Sequence, residues 1–250
     1  MFSTIFHAAV YDPLYNGLVF LVDVVPGHDM GLAVVALTII VRIIFYPLSR
    51  QAVLTQEAMK RIAPEVEALK EKYKEKKEEQ AREIFALYKK YNIRPFSSVL
   101  LMLVQLPILL GLYWVFAWGG FPEVDASLLY SFVPSPVGVV DMNFLGFIPM
   151  DGHSVILAIL AGVTQIIYTR LSMGPRKKHT KPMGDSFSSD MARSFDIQMR
   201  YVFPILIAVI SYTVVAAAPL YWVTSNSFLI MQEYITGKRF TAAEKKEDNL

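Results

Sequence analysis

Residues 32–49 read LAVVALTIIVRIIFYPLS, an apolar run interrupted by a single charged residue, Arg42. Extended back to Met30, the run has roughly the 20 mostly apolar residues that a helix needs to cross a bilayer. The guanidinium of Arg42 keeps its proton, so its charge cannot be removed by neutralisation. Placing that charge in hydrocarbon costs from about 2.5 to well over 10 kcal/mol, depending on the reference state. We therefore expect water or polar groups to surround Arg42.

The composition of the chain indicates an integral membrane protein. Of its 250 residues, 54% are hydrophobic and only 18% are charged, which suits a membrane protein better than a soluble domain. The chain has no cysteine, which excludes disulfides, thiolate chemistry and cysteine-based zinc sites. The net charge of +2 says little about partners, whereas the distribution of the charges is informative.

All 24 lysines and arginines fall into three blocks, at residues 42–94, 170–200 and 238–246. Cytoplasmic loops of membrane proteins carry an excess of Lys and Arg. The three blocks are therefore predicted to be cytoplasmic, and the polar stretches without basic residues are predicted to lie outside. This alternation requires an outside N-terminus, five membrane spans and a cytoplasmic C-terminus.

The apolar segments divide the chain into five predicted spans and their connections. A single helix over residues 201–236 would be about 54 Å long, too long for a bilayer core of about 30 Å, so this block is predicted to be a hairpin broken near Pro219. Residues 1–29 are predicted to be an outer interfacial segment, with a re-entrant segment as the alternative. The spans are residues 30–49, 97–118, 154–173, 200–217 and 220–235; between and after them lie the outer loop 119–153, the cytoplasmic loop 174–198 and the cytoplasmic tail 236–250.

Residues 50–94 are strongly charged and are predicted to form a cytoplasmic helical hairpin with a turn near residues 76–79. Two apolar stripes at helical spacing support this prediction. Periodicity leaves open a second interpretation, a solvated and charged linker helix. The stripes consist of Ile62, Val66, Leu69 and Tyr73 in the first arm and of Ile84, Leu87, Tyr88 and Tyr91 in the second.

Several polar residues inside the predicted spans are candidates for the surroundings of Arg42. Thr38 lies four residues earlier, on the same helix face. Glu233, near the inner end of the last span, is the one acidic residue inside a span, which weakens a structural salt bridge as the explanation. The alternatives are snorkelling of Arg42 to headgroups roughly 9 Å away and a hydrated cavity open to the cytoplasm. The other candidate groove residues are Gln105, Gln165, Ser225 and Asn226.

Catalytic constellations are missing from the sequence. It contains no phosphate-binding loop, no His-Glu-x-x-His motif and no nucleophile–base pair, and its four histidines are scattered. We therefore predict no enzymatic activity, no metal and no cofactor. The basic blocks lack the fold context of a nucleic-acid-binding module, so no specific nucleic acid is expected.

Four segments together resemble the YidC-type membrane protein insertases, whose relatives are the mitochondrial oxidase-assembly and chloroplast albino proteins. The resemblance covers roughly residues 10–238, and the order of the motifs makes it specific. The segments are VRIIFYPLSRQAVLTQEAMKRIAPEVEALKEKYK (41–74), NIRPFSSVLLMLVQLPILLGLYWVF (92–116), FLGFIPMDGHSVILAILAGVTQIIYTRLS (144–172) and PLYWVTSNSFLIMQEYI (219–235).

The resemblance implies an all-α integral membrane protein with five spans around a hydrophilic groove that is open to the cytoplasm and to lipid but closed outside. It places Arg42 and Thr38 in that groove, Trp222 in contact with substrate, and the region Gln51–Tyr91 in the recruitment of clients. The clients are nascent membrane proteins, with the Sec translocon and the ribosome as further partners. The chain looks like a minimal form from a bacterial plasma membrane.

The implied function is to move short polar segments of client proteins through the groove and to release their transmembrane helices sideways into lipid. No nucleotide is required, because burying about 20 apolar residues is itself favourable. The alternative is an anion channel or transporter that uses Arg42, although the sequence shows no inverted repeat. A purely structural assembly scaffold would not need an unpaired arginine inside the membrane.

Overall fold

The computed structural model describes residues 2–94, 97–134, 139–173, 194 and 196–247; for residues 2–3, 97–99, 101–102 and 237–247 it describes the backbone only. Within these ranges the chain is mostly helical, with one two-stranded antiparallel sheet. The helices are α1 (Phe2–Phe6), α2 (Asp12–Val24), α3 (Met30–Ile44), α4 (Tyr46–Lys72), α5 (Lys77–Lys90), α6 (Ser97–Trp118), α7 (Val155–Met173), α8 (Phe203–Thr213) and α9 (Ala217–Glu247). The strands are β1 (Asn143–Phe144) and β2 (Ile148–Pro149).

The N-terminal segment is helical almost throughout, because a π-helical turn at His7–Tyr11 joins α1 to α2. Leu37 of α3 lies against Gly17, and Leu14 lies against Gly111 near the middle of α6. The stretch Thr4–Val24 is long and apolar enough to cross a membrane. The segment predicted to lie at the outer interface therefore packs against the membrane-spanning candidates over much of their length.

The predicted first span is bent. Helix α3 ends at Ile44, and α4 starts at Tyr46 at an angle of 66° to it, with no loop between them. Pro47 lies in the first turn of α4. A proline has no N–H to donate to the carbonyl of Ile43 four residues earlier, and its ring crowds that carbonyl, so a straight helix is not possible here. The apolar run of residues 32–49 therefore ends in the first turn of α4.

Helices α4 and α5 form an antiparallel pair connected by residues 73–76, slightly earlier than the predicted turn. The two arms touch along their length: Tyr91 donates to Glu65 Oε1 at 2.7 Å, and Gln80 Nε2 donates to the Lys70 carbonyl at 2.8 Å. The residues of the two apolar stripes are half-buried or buried, with Tyr91 at the exposed margin, while most of their neighbours are exposed. The part of α4 before residue 62 packs on α6, α7 and α9.

Helix α9 is the central helix of the bundle, in contact with α3, α4, α6, α7 and α8. Helices α7 and α8 pack closely, because an added Cβ at Gly162 would lie 2.9 Å from Ala208 Cβ. The outward faces of α3, α7 and α8 are apolar, which is the expected composition of a lipid-facing surface. They expose Ile39, Ile40, Ile43, Ile44, Val155, Ile156, Ile159, Val163, Ile167, Ile205, Leu206 and Val209.

The break between the last two apolar helices lies at residues 214–216 rather than at Pro219. Val214 is extended, and α9 begins at Ala217 with Pro219 in its first turn. Proline is tolerated there because the first turn of a helix has no carbonyl partners for its N–H groups. Helix α9 continues to Glu247 and therefore extends well beyond the predicted end of the fifth span.

The loop that contains β1 and β2 is hydrogen-bonded to helix ends at one end of the bundle. Met30 N donates to the Asp141 carbonyl at 2.9 Å, and Ala216 N donates to the Gly152 carbonyl at 2.7 Å. The N-terminal ends of α3, α7 and α9 therefore lie together at this loop. Two helices among the described residues, Thr4–Val24 and Val155–Met173, have the length and composition of a span, and the bent pair α3–α4 would make a third. The count of five spans thus stays a prediction.

Candidate functional site

Polar side chains on one turn and a half of α9, residues 221–226, meet polar side chains from three other helices. Tyr221 contacts α6, Ser225 contacts α3, and Trp222 and Asn226 contact α7. We call this set the polar band. It consists of Arg42, Gln105, Gln165, Tyr221, Trp222, Ser225 and Asn226.

Arg42 is buried, with 5% of its surface exposed, in the last turn of α3. Its Nε donates to Ser225 Oγ at 2.7 Å, and its Nη2 contacts the same oxygen. The negative end of the α3 dipole favours a cation at this position. The phenols of Tyr168 and Tyr221 lie close enough to interact with the guanidinium electrostatically. The side chain is therefore turned into the bundle, which argues against simple snorkelling.

Within the part of the chain that the structure describes, no carboxylate forms an ion pair with Arg42. Glu233, the one acidic candidate, is itself buried at 6% exposure, and its Oε1 has no hydrogen-bond partner among the described residues. It lies about 12 Å along α9 from Ser225. A permanent pair between Arg42 and Glu233 is not formed.

Gln165 of α7 connects two residues of α9. Its Oε1 accepts from Trp222 Nε1 at 3.2 Å and from Asn226 Nδ2 at 3.0 Å, while its Nε2 donates to Thr169 Oγ1 at 3.2 Å. Both polar atoms of the amide are thus bonded, which fixes the orientation of the side chain. This network holds Trp222, a half-buried aromatic residue, at a defined position beside the buried cation.

The two remaining predicted residues have different surroundings. Gln105 of α6 donates through Nε2 to the Tyr221 hydroxyl, which brings it into the polar band. Thr38 is buried and donates to the Val34 carbonyl of its own helix at 2.6 Å. This bond to residue i−4 satisfies the hydroxyl locally. The structure therefore connects the predicted groove residues to one another through α9, except for Thr38, whose hydroxyl bonds within its own helix.

Residues that the sequence did not single out connect the base of the α4–α5 hairpin to the bundle. Ser49 Oγ of α4 donates to Gln232 Oε1 of α9 at 2.9 Å, and Ser172 of α7 donates to Gln56 of α4. Tyr221 was also missed, since a tyrosine beside a tryptophan is usually assigned to a membrane interface. Four-residue spacing relates Tyr221 to Ser225, and that spacing was the available signal.

The opposite end of the bundle is covered by loop residues that polar side chains of the N-terminal segment hold in place. Asn16 donates to the Leu128 carbonyl at 2.9 Å and accepts from Tyr130 N at 2.6 Å. Asp125 N donates to the Tyr15 hydroxyl at 2.9 Å. Hydrogen bonds from the hydroxyl and the backbone N–H of Ser127 lower the pKa of the Asp125 carboxyl. These bonds join α2 to the loop after α6.

No group of three or more histidine, aspartate or glutamate side chains among the described residues is arranged to hold a metal ion. The site consists of one cation, amides, hydroxyls and aromatic rings. These groups can bind an anion or an extended polar segment by hydrogen bonding, but they include no nucleophile with an adjacent base.

Comparison with known proteins identifies the family. The profile of the 60Kd inner membrane protein family matches residues 20–245. The chain belongs to this family. A protein of Clostridium tetani named membrane protein insertase YidC is 30% identical over 213 residues, which are 85% of this chain and 84% of that protein.

Other family members with the same name differ in length. The protein from Fusobacterium nucleatum is 29% identical over 232 residues, 92% of this chain and 98% of that protein. The protein from Methylobacillus flagellatus is 29% identical over 223 residues, which are 89% of this chain but only 35% of the relative. Membership of the 60Kd inner membrane protein family, together with the apolar helices, makes this chain an all-α integral membrane protein.

Proposed function

We propose that this chain is a membrane protein insertase that receives a nascent membrane protein at the polar band and releases its apolar helix into lipid. The observation that carries the proposal is the state of Arg42, a buried guanidinium that is hydrogen-bonded to Ser225 and forms no ion pair with a carboxylate of the described residues. Its Nη1 donates to none of the described residues. This cation therefore has donors available for an acidic group of a client.

The physical basis is the cost of moving polar backbone and side chains through hydrocarbon, several kcal/mol for each unsatisfied group. A groove lined by the polar band supplies hydrogen bonds along part of that path and so lowers the barrier. Arg42 attracts acidic residues of the client's outer segment for the time of passage. The apolar faces of α3 and α7 then offer the client helix a lipid-exposed route, and its burial in the bilayer completes the reaction without a nucleotide.

The proposed topology has five spans around a groove open to the cytoplasm and to lipid, with the N-terminus outside and the C-terminus in the cytoplasm. Support comes from the three basic blocks and from the loop 139–153, which gathers the N-terminal ends of α3, α7 and α9 on one side. The helical hairpin α4–α5, within Gln51–Tyr91, then projects into the cytoplasm. There it recruits clients, with the Sec translocon and the ribosome as further partners.

An anion channel or transporter that uses Arg42 is the alternative from another class. The relatives described above are named insertases, and that name favours the insertase. The channel would also need a continuous polar path across the membrane. Against such a path, Asn16 and Tyr15 of α2 bond to loop residues 125–130 at one end of the bundle, which supports a groove closed at that end.

Reconstitution in lipid vesicles tests the proposal. Two client proteins are compared, one with acidic residues in its outer segment and one with the corresponding amides. We expect Arg42→Lys to retain most insertion, because a compact cation still attracts the acidic segment. Arg42→Glu should reduce insertion of the acidic client about tenfold, equivalent to about 1.4 kcal/mol, with a smaller effect on the amide client.

The matched control is Arg50→Glu, which reverses a charge at an exposed position on α4. It should leave the insertion of both clients within about twofold, equivalent to about 0.4 kcal/mol. Full insertion of the acidic client by correctly folded Arg42→Glu protein would refute the charge mechanism. Chloride or phosphate flux that depends on Arg42, without any loss of insertion in the variants, would favour the channel.

A further inference from the structure

We propose that the tip of the β1–β2 hairpin, Leu145 and Phe147, inserts into the lipid leaflet at the N-terminal end of α3. The hairpin is a small protrusion that the insertase function does not use. Its connection presents two large apolar side chains to the surroundings, with 55% of Leu145 and 68% of Phe147 exposed. Isolated apolar side chains on a surface are common, but these two stand together on a rigid tip.

The backbone at the tip makes the choice of residue unusual. Phe147 N donates to the Phe144 carbonyl at 3.2 Å, and the two residues between them, Leu145 and Gly146, have φ angles of 54° and 81°. Turns of this kind favour Asn, Asp or Gly, because an ordinary side chain is strained at positive φ. A branched apolar residue is therefore costly here both in backbone conformation and in exposure to water. Contact with lipid would remove the cost of exposing this side chain to water.

The hairpin is held firmly against the start of α3. Asp29 accepts from Leu32 N at 3.0 Å through Oδ1 and from Leu145 N at 2.7 Å through Oδ2. The Phe144 ring lies directly on Gly31, where no side chain separates the two elements. The strained residue is thus bonded to the cap of the helix, so the tip cannot withdraw from its position without breaking that bond.

This attachment places the tip at the level of the membrane surface. Asp29 caps the N-terminus of α3, an apolar helix with a lipid-facing surface, so the connection at Leu145 lies at the boundary between that helix and its polar loop. Trp118, at the end of α6, is 71% exposed and marks the same interface, where aromatic residues are enriched. The segment 95–169 carries no lysine or arginine. The tip thus meets lipid through apolar side chains and not through basic contacts to headgroups.

Fluorescence quenching tests this inference, and the absence of native cysteine allows single labels. Leu145→Cys, Phe147→Cys and, as the matched control, the exposed loop position Glu123→Cys carry an environment-sensitive dye. The proteins are placed in vesicles of phosphatidylethanolamine and phosphatidylglycerol, with or without nitroxide on the acyl chains near the headgroup. We expect nitroxide lipid to quench the labels at 145 and 147 several-fold more than the label at 123. Aqueous iodide should show the reverse order.

Iodide quenching at 145 and 147 as strong as at 123 would overturn the inference, since the tip would then be in water. Protection of both labels from iodide and from nitroxide lipid would also overturn it, because a protein partner or a second copy would then cover the tip. A further variant separates lipid contact from folding: Leu145→Asn suits the turn and removes the apolar side chain. It should leave the protein folded and reduce lipid quenching of the Phe147→Cys label several-fold. Insertion activity is not the readout, so failure here is distinguishable from failure of the insertase proposal.

Discussion

Ser225 Oγ lies 2.7 Å from Arg42 Nε and accepts a second contact from Nη2, so one hydroxyl of α9 serves two donors of the buried guanidinium on α3. A serine hydroxyl is neutral and compensates the charge only in part. The rest of the compensation of the Arg42 charge must come from the α3 dipole, from the nearby phenols and, in the proposed groove, from water. The stability lost on removing the Ser225 hydroxyl therefore indicates whether water is present around Arg42.

Replacing Ser225 with alanine tests for that water. In a dry site the loss of a buried acceptor for a charged donor costs about 1.5–3 kcal/mol of stability. In a hydrated groove a water molecule takes the place of the hydroxyl, so we expect a loss of less than about 1 kcal/mol. Thermal unfolding of the purified protein measures the difference. The matched control is Ser227→Ala on the same helix, because Ser227 is exposed and donates only to the Val223 carbonyl. A loss of about 1.5 kcal/mol or more for Ser225→Ala, with no such loss for Ser227→Ala, would argue for a dry site.

The proposed topology predicts which positions a membrane-impermeant thiol reagent reaches. A cysteine at Asp125 in the loop after α6 should be labelled in intact cells. A cysteine at Glu78, in the first turn of α5, should be labelled only after the membrane is opened. Both positions are exposed, so a difference in labelling reports their side of the membrane. Labelling of Glu78→Cys in intact cells would contradict the arrangement of the spans.

Gly31→Ala should destabilise the end of the bundle that contains the β1–β2 loop. An added Cβ would overlap the Phe144 side chain, which lies directly on Gly31. Overpacking of this kind costs about 1–3 kcal/mol, which thermal unfolding detects. In a Phe144→Gly background the same change should cost less, because both the obstructing Cβ and the ring of residue 144 are gone. Equal losses in the two backgrounds would show that the glycine is needed for another reason.

The hairpin contact between Tyr91 and Glu65 predicts a pH dependence. Donation of the phenol to the Glu65 carboxylate, at 2.7 Å, raises the pKa of Tyr91, and the negative charge of Glu65 adds to the effect. A raised pKa means that the contact is complete below the ordinary tyrosine pKa and is lost as the pH rises through the raised value. The tyrosinate absorbance assigned to Tyr91, obtained by difference from Tyr91→Phe, should therefore appear at higher pH than in Glu65→Gln. Identical titrations in the two proteins would contradict the contact.

Sequence reasoning found the parts of the site where a residue type conflicts with its surroundings. A charge at Arg42 and an amide at Gln165 are costly in apolar segments, and that cost predicts polar partners without any structure. It does not identify the partners, because pairing depends on how the helices are placed around α9. Ser225 and Asn226 were identified as candidates, but their division between α3 and α7 follows only from the fold.

Two features of the fold were missed although the sequence carried a signal for each. The residues Tyr11, Tyr15, Leu18 and Val22 form a buried stripe at helical spacing, which points to a helix that packs on the bundle, whatever its depth in the membrane. Pro47 indicates the bend between α3 and α4, but the continuous apolar run to Leu48 obscured it. Hydropathy indicates whether a segment lies in lipid or in water. The bend depends instead on the backbone N–H group that Pro47 lacks.

The direct junction of α3 and α4 at Phe45 has a mechanical consequence. Helix α4 extends about 40 Å from the junction to Lys72, while Arg42 lies only about 4.5 Å from it on the other side. If the two helices turn together about Phe45, a displacement of the far end of α4 is reduced roughly ninefold at Arg42. The bonds of Ser49 to α9 and of Gln56 to α7 lie in the first three turns of α4, where they would resist such a rotation.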